Sequence, residues 1–444
     1  MEVTFLSRDT IKPSSPTPLS FETFHLFCLE ETSPLVYTPL FLFYPRSNND
    51  DSGESHPEID TLKSSLSETL NRFLFLEGET IGESIRCNYE EIVFVEAKVT
   101  GKISDIFVGS NNDTSLMKLV MYSTFMTDPA DDYKYAVIGV QANIVECGGV
   151  VISLCLLHEV IDPTTLSHFL RSWFDINTSS FNCLPSMACS DFGPLLPLFD
   201  PRQKQVFFSS NNSSQQQASF QSLLCTFKDD EIQFLKDRAK SSDVQNPTCV
   251  EVLLGSLWKC ILEVVLLQIT TNSDHRPSIL THAIINLNIK MLSSNSLPRS
   301  FSVGNFWWIE VAHYLANETT QMELSNLVRF LRESFQEMNG DDHCWIKSLV
   351  GNQGDRSVIS KLLSAEIIPK LYICTNWENI DQLNEFGWGN TIWIESDTTS
   401  KNIGILLRTI RDNEIEIWMV LDEEEIELLV QTEEFCGFVN LTFP

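Results

Sequence analysis

The sequence predicts an α/β protein built as two lobes of mixed sheet and helices. Three observations point there. Runs with strand spacing alternate with stretches of helical spacing in both halves of the chain, which favours sandwiched α/β layers over a helical bundle. The 444 residues exceed the length, roughly 250–300 residues, at which one hydrophobic core stops growing. A run of Ser, Asn and Gln at 209–219, preceded by Pro194, Pro197 and Pro201, reads as a connection between halves. The expected domains are 1–198 and 223–444, with a crossover linker at 199–222.

Taken in order, 47–58 is rich in Asn, Asp, Ser and Gly and reads as a solvated loop. Residues 62–76 carry Leu66, Leu70, Phe73 and Leu74 at helical spacing. Residues 135–140 and 150–156 read as two strands, with Gly148 and Gly149 before the second. Leu166, Phe169, Leu170 and Trp173 recur at i, i+3, i+4 and i+7, the stripe of an amphipathic helix. Further helices are expected at 250–265 and at 324–335, the latter with Leu327, Val328 and Leu331 on one face. Near the end, 403–410 and 415–421 flank Arg411, Asp412, Asn413 and Glu414 as a hairpin, and an acidic helix follows from about Asp422.

Composition narrows the function. The chain is 43% hydrophobic, ordinary for a globular protein, but carries 60 acidic against 30 basic residues, a formal net charge of −30. Nucleic acid is therefore not an expected partner, since phosphate binding needs clustered Lys and Arg. A cationic small molecule would be drawn to such a surface. The stretch from Met1 to Asp9 lacks a basic start followed by an apolar run, so no secretory signal is expected. The longest apolar run, 147–157, falls short of the roughly 20 residues that span a membrane. Twelve cysteines without a CxxC pair read as reduced thiols, and the expected location is cytoplasmic.

The chemistry concentrates where the strand at 150–157 ends on His158, with Asp162 four residues on. A histidine delivered by a buried strand to that strand's end is either a general base in a walled cavity or a core histidine. Asp162 followed by Pro163 also has a structural reading, an N-cap with proline at the first helical position. The two readings are compatible, because an N-cap that fixes the turn also aims the imidazole. Glu159 makes half of a zinc-protease signature, but Asp162 stands where the second histidine belongs, so no metal is expected. A Cys–His pair remains open, since proximity cannot be read from spacing. Glu385, Phe386, Gly387, Trp388 and Gly389 form the second landmark, a tight turn around a packed aromatic.

With both landmarks at this separation the chain resembles the plant BAHD acyltransferases, whose hallmarks are His-x-x-x-Asp near the middle and Asp-Phe-Gly-Trp-Gly near the carboxyl end. Cys147-Gly148-Gly149, Pro247-Thr248, Trp258-Lys259-Cys260, Asn286-Leu287, Gly304-Asn305, Thr375-Asn376-Trp377 and Ile415-Glu416-Ile417-Trp418 look like that family too. The opening, Ile11-Lys12-Pro13-Ser14 with Pro16-Thr17-Pro18, is similar to the branch that holds vinorine synthase and capsaicin synthase. The resemblance implies two chloramphenicol-acetyltransferase-like domains with a solvent channel between them. It implies an acyl-CoA co-substrate, no permanently bound cofactor, a small-molecule acceptor and a monomer. By the same resemblance His158 is the base, Asp162 pairs with an arginine to hold its loop, and the turn at 385–389 shapes the CoA side. Thr375 and Trp388 are candidates for the oxyanion and acyl site.

The departures from the family remove positive charge. Asn288 stands where the family has the arginine that pairs with the aspartate, with Lys290 two residues on. Glu77-Gly78-Glu79, Thr248-Cys249 and Gly389-Asn390-Thr391 likewise lack the family's Arg or Lys, and Glu385 replaces an aspartate. Lys259, Lys290 and Arg299 are the remaining candidates for the CoA phosphates. The expected function is transfer of an acetyl, benzoyl or similar group from acyl-CoA to a hydroxyl of a specialised metabolite, foremost an alkaloid. The alternatives are a binding or regulatory protein that has lost transfer, and an enzyme that uses the same histidine for proton transfer without CoA.

Overall fold

The computed structural model describes residues 1–19, 22–25, 37–44, 59–81, 84–87, 91–104, 116–120, 135–178, 220–272, 279–288, 307–315, 322–336, 370–376, 393–395, 403–408, 414–432, 435 and 440–442. The expected loops at 47–58 and 209–219 lie outside them, as does 199–219 of the expected crossover.

The first half contributes β1 (Val3–Ile11), β2 (Thr23–His25), β3 (Tyr37–Tyr44), α1 (Ile59–Leu70), β4 (Glu79–Ile81), β5 (Ser84–Arg86), β6 (Ile92–Val99), β7 (Tyr135–Ala136), β8 (Ile138–Val145), β9 (Val150–Leu157) and α2 (Pro163–Thr178). The second half contributes β10 (Phe220–Phe227), α3 (Asp229–Ala239), α4 (Cys249–Asn272), β11 (Ile279–Asn288), β12 (Trp307–Leu315), α5 (Leu324–Gln336), β13 (Lys370–Asn376), β14 (Trp393–Glu395), β15 (Ile403–Arg408), β16 (Ile415–Asp422), α6 (Glu423–Leu429) and β17 (Asn440–Thr442).

Two large mixed sheets organise these elements. One has six strands in the order β1-β6-β8-β9-β3-β14, the other seven in the order β12-β11-β13-β15-β16-β10-β17. Parallel pairs (β6 with β8, β11 with β13, β13 with β15) sit among antiparallel ones. A smaller sheet of four strands runs β2-β5-β4-β7. β14 crosses between the halves, pairing antiparallel with β3 so that Trp393 opposes Phe43 and Glu395 opposes Phe41.

Each half has its own core. In the first, α2 buries Leu166, Phe169, Leu170 and Trp173, the predicted stripe, with β3, β8 and β9 side chains. The Trp173 indole N–H donates to Ser65 Oγ of α1 at 3.0 Å, which satisfies the one polar atom that so large a buried ring carries. In the second, α4 and α5 close over β10 and β16. α4 starts with a capping box: Thr248 Oγ1 accepts from the Glu251 N–H at 3.2 Å, and Glu251 Oε2 accepts from the Thr248 N–H at 2.7 Å. Arg332 of α5 donates to both Glu251 oxygens, from Nε at 2.8 Å and from Nη2 at 2.7 Å. That fork holds Glu251 below the ordinary carboxylate range against the opposing effect of burial.

Three expected boundaries shift. The strand expected at 135–140 divides into β7 and β8, the latter running on to Val145. The pattern over 62–76 divides into α1 and a 3-10 turn at Leu74–Glu77. Backbone N–H groups of Asn71, Arg72 and Phe73 bond three residues back, tightening the helix end. α4 continues past 265 to Asn272, because no Gly or Pro interrupts the run.

Candidate active site

β9 is buried at all eight positions. It lies between β8 and β3, with Leu156 opposite Ile138 on one side and Thr38 on the other. The β8–β9 hairpin turns at Gly148, whose φ of 88° is a left-handed conformation that side chains resist. Gly149 follows where a Cβ would stand 2.4 Å from Ile103 Cδ1 and 2.9 Å from Tyr44 O, so the glycine pair predicted before the strand is required by the turn and by close packing. Inside the sheet, Asn143 Nδ2 donates to Leu119 O at 2.8 Å and Ser153 Oγ at 3.1 Å, and Gln141 Nε2 donates to Asn143 Oδ1 at 2.7 Å. This buried network pins the segment 116–120 against β8 and β9.

β9 ends at Leu157 and the chain turns. The N–H groups of Val160 and Ile161 both return to Leu157 O, at 3.0 and 3.1 Å. Asp162 then starts α2: its Oδ1 accepts from the Thr165 N–H at 2.6 Å, and Pro163 occupies the first helical position. The structural reading of Asp162 is thus what the geometry displays: the cap fixes the helix end of the short turn that carries His158, and Leu157 O fixes the strand end. Asp162 is 1% exposed and Glu159 2%.

His158 is half-buried between these buried neighbours. Desolvation lowers its pKa below the ordinary imidazole value, while a hydrogen bond to its own backbone and the Asp162 charge pull the other way. Burial therefore favours the neutral ring, the form in which its nitrogen can accept a proton. In β3 every residue is buried except Thr38, which is half-buried. Thr38 stands in register with Leu156, two residues before His158. Among the described residues, Thr38 and His158 are partly accessible positions at this end of the β3–β9 pair, which makes Thr38 a further candidate that the motifs do not mark. Its signal was the one threonine in the otherwise apolar and aromatic run from Tyr37 to Tyr44.

Cys155, three residues before His158, is a fully buried thiol whose pKa burial pushes up to about 12, so it is protonated and inert at neutral pH. Among the described residues no three His, Cys, Asp or Glu side chains are placed to hold a metal ion, and no helix is long and apolar enough to cross a membrane.

The other expected site residues divide by position. Thr375 is in β13, in register with Asn286 of β11 and with Ile405 of β15, which in turn pairs with Trp418 of β16. Trp418 and its register partner Leu224 belong to the first half's core, whereas Ile417, Met419, Leu223 and Cys225 belong to the second's. The face carrying Leu224 and Trp418 is therefore the one turned toward the lobe of His158. Lys259 is half-buried in α4, between Trp258 and Cys260 of the second core. Glu385, Phe386, Gly387, Trp388, Gly389, Lys290 and Arg299 lie outside the described residues.

The two mixed sheets, joined by a crossing strand and carrying a histidine on a strand-to-helix turn, define an acyltransferase fold of the chloramphenicol-acetyltransferase kind. Solved structures agree. Vinorine synthase superposes with a TM-score of 0.77 at 22% identity, covering 99% of this chain and 98% of that one. TRI101 of F. sporotrichioides, solved with coenzyme A and T-2, gives 0.66 at 15% identity, over 94% and 99%. Among curated proteins, an epi-neemfruitin B 7-O-acetyltransferase of Melia azedarach is 30% identical over 99% of both chains. Salutaridinol 7-O-acetyltransferase of Papaver somniferum is 27% identical over 96% of this chain and 95% of its own. The profile described as Transferase family matches residues 1–436, and the chain belongs to that family, the BAHD acyltransferases. It is an acyltransferase.

Proposed function

We propose that the protein transfers an acyl group, acetyl foremost, from acyl-CoA to a hydroxyl of a plant alkaloid or terpenoid, with His158 as the general base. The observation that carries this reading is the half-buried, neutral imidazole of His158 held at the end of a fully buried strand by a capped turn. An alcohol is a poor nucleophile until its proton has an acceptor. In the proposed step the imidazole takes that proton as the hydroxyl oxygen bonds to the thioester carbonyl carbon. The tetrahedral adduct then expels the CoA thiolate, which takes the proton back from His158. Thr38, in register with Leu156 two residues before His158, and Thr375, by the family resemblance, are the candidates to position the reacting groups, and a hydrogen-bond donor there would meet the developing oxyanion.

Support for acyl-CoA comes from TRI101, a structural neighbour solved with coenzyme A. Support for acetyl and a hydroxyl comes from relatives named as O-acetyltransferases. The carboxylate that the family pairs with an arginine is here held at the N-terminus of α2, so loss of that arginine at Asn288 leaves the turn supported. In the test, purified protein is given acetyl-CoA with alkaloid and terpenoid alcohols, and free thiol and product mass are followed. Acetylated product is expected, and His158→Ala should lower turnover by about 10²–10⁴. Undiminished turnover in that variant would remove His158 from the mechanism.

A further inference from the structure

β16 is not alike on its two faces. Ile415, Ile417, Met419 and Leu421 pack into the second core, and Trp418, on the opposite face, packs into the first. β10 repeats the division, with Leu223, Cys225 and Phe227 in the second core and Leu224 in the first. Leu224 and Trp418 are register partners, so together they seal this part of the second sheet onto the other lobe.

The next pair on that face is Thr226 and Glu416, about 6.6 Å further along the strands. Both are half-buried, although Cys225, Phe227, Ile415 and Ile417 beside them are buried. β15 places Leu407 in register with Glu416 on the other side. A hydroxyl and a carboxyl therefore stand together at the margin of the seal, on the face turned toward the other lobe, both partly accessible. Burial pushes the Glu416 carboxyl up to about 7; the nearby Trp418 indole opposes this and the Glu414 charge adds to it. No positive charge is among the groups acting on it within the described residues. A carboxyl in that condition gains more than an exposed one from a bound cation, which restores its ionised form.

We propose that Glu416 and Thr226 form a subsite for the protonated amine of the acyl acceptor. The carboxylate accepts the ammonium N–H, and the hydroxyl oxygen stands beside it as a weaker second acceptor. This deepens the acyltransferase reading, on which it rests, by making an amine-bearing alcohol the substrate class. The net charge of −30 assists by concentrating cations near the surface.

The test is equilibrium binding, which needs no acyl transfer. Cinchonine, a polycyclic tertiary amine with a hydroxyl, and its uncharged N-oxide are titrated calorimetrically near neutral pH into the wild type, Glu416→Gln and Thr226→Val. The wild type should prefer the amine. Glu416→Gln should weaken amine binding about tenfold or more, as loss of one charged hydrogen bond implies, and leave the N-oxide little changed. Thr226→Val should lose less, with the same selectivity. No amine binding, equal binding of both probes, or an equal loss for both in Glu416→Gln overturns the proposal. If Glu416→Gln does not fold, the wild-type preference and Thr226→Val decide. Intact amine selectivity with no acyl transfer would sink the transferase reading and leave this site standing.

Discussion

At the scale of the residue, His158 and Asp162 make separable predictions. Desolvation lowers the His158 pKa. Turnover that depends on a neutral imidazole should therefore rise with pH with a midpoint below the ordinary value near 6.5. A pH profile of kcat/KM checks this, and a midpoint above 6.5 would contradict the burial argument. Asp162→Ala removes the acceptor for the Thr165 N–H and should cost about 1 kcal/mol of stability. Asp162→Asn keeps an acceptor, so its stability should stay near wild type in urea titration. Its pH profile should nonetheless move to lower pH, because the Asp162 charge that favours the imidazolium is gone. His158 and Asp162 were legible because an apolar strand ending on a histidine is visible in one dimension. Thr38 was not, because its nearness to His158 is a property of pairing between β3 and β9.

At the scale of the element, the Glu251–Arg332 fork joins the start of α4 to α5. Glu251 has a depressed pKa in the folded chain. Its stabilising contribution is therefore full above the ordinary glutamate value, near 4.5, and fades as pH falls through the lower folded value. Arg332→Ala should cost about 1.5–3 kcal/mol at pH 7, the worth of charged hydrogen bonds to a mostly buried carboxylate. That deficit should shrink as the solution is acidified below pH 4.5, measured by urea unfolding across pH. The helices were largely readable, since α2 and α5 carry their apolar residues at 3.6-residue spacing. The end of α1 was not. Leu70, Phe73 and Leu74 fit a continuing helix by spacing, yet Gly78 must approach within 2.7 Å of Arg86 O, measured from the position a Cβ would take. That approach is made across a sheet the spacing does not reveal. The departure at Thr248-Cys249 also has its account: Thr248 works as an N-cap, a task that needs no neighbouring arginine.

At the scale of the whole molecule, the two-lobed α/β architecture followed from length and alternation, whereas the way the halves interlock did not. Residues 393–395 pair with 41–43, a contact across most of the chain that no local pattern encodes. The seal at Leu224 and Trp418 is of the same kind: each looks like an ordinary strand residue until the register assigns it to the other lobe's core. This interlocking has a consequence for dividing the gene. A fragment ending at 198 would lose β14, leaving the backbone of β3, a run of Tyr, Leu and Phe, as an unpaired margin open to strand addition. Expressed alone it should aggregate, and producing the complementary piece in the same cell should restore a soluble, co-purifying pair. Size-exclusion chromatography of the separately and jointly produced fragments checks this.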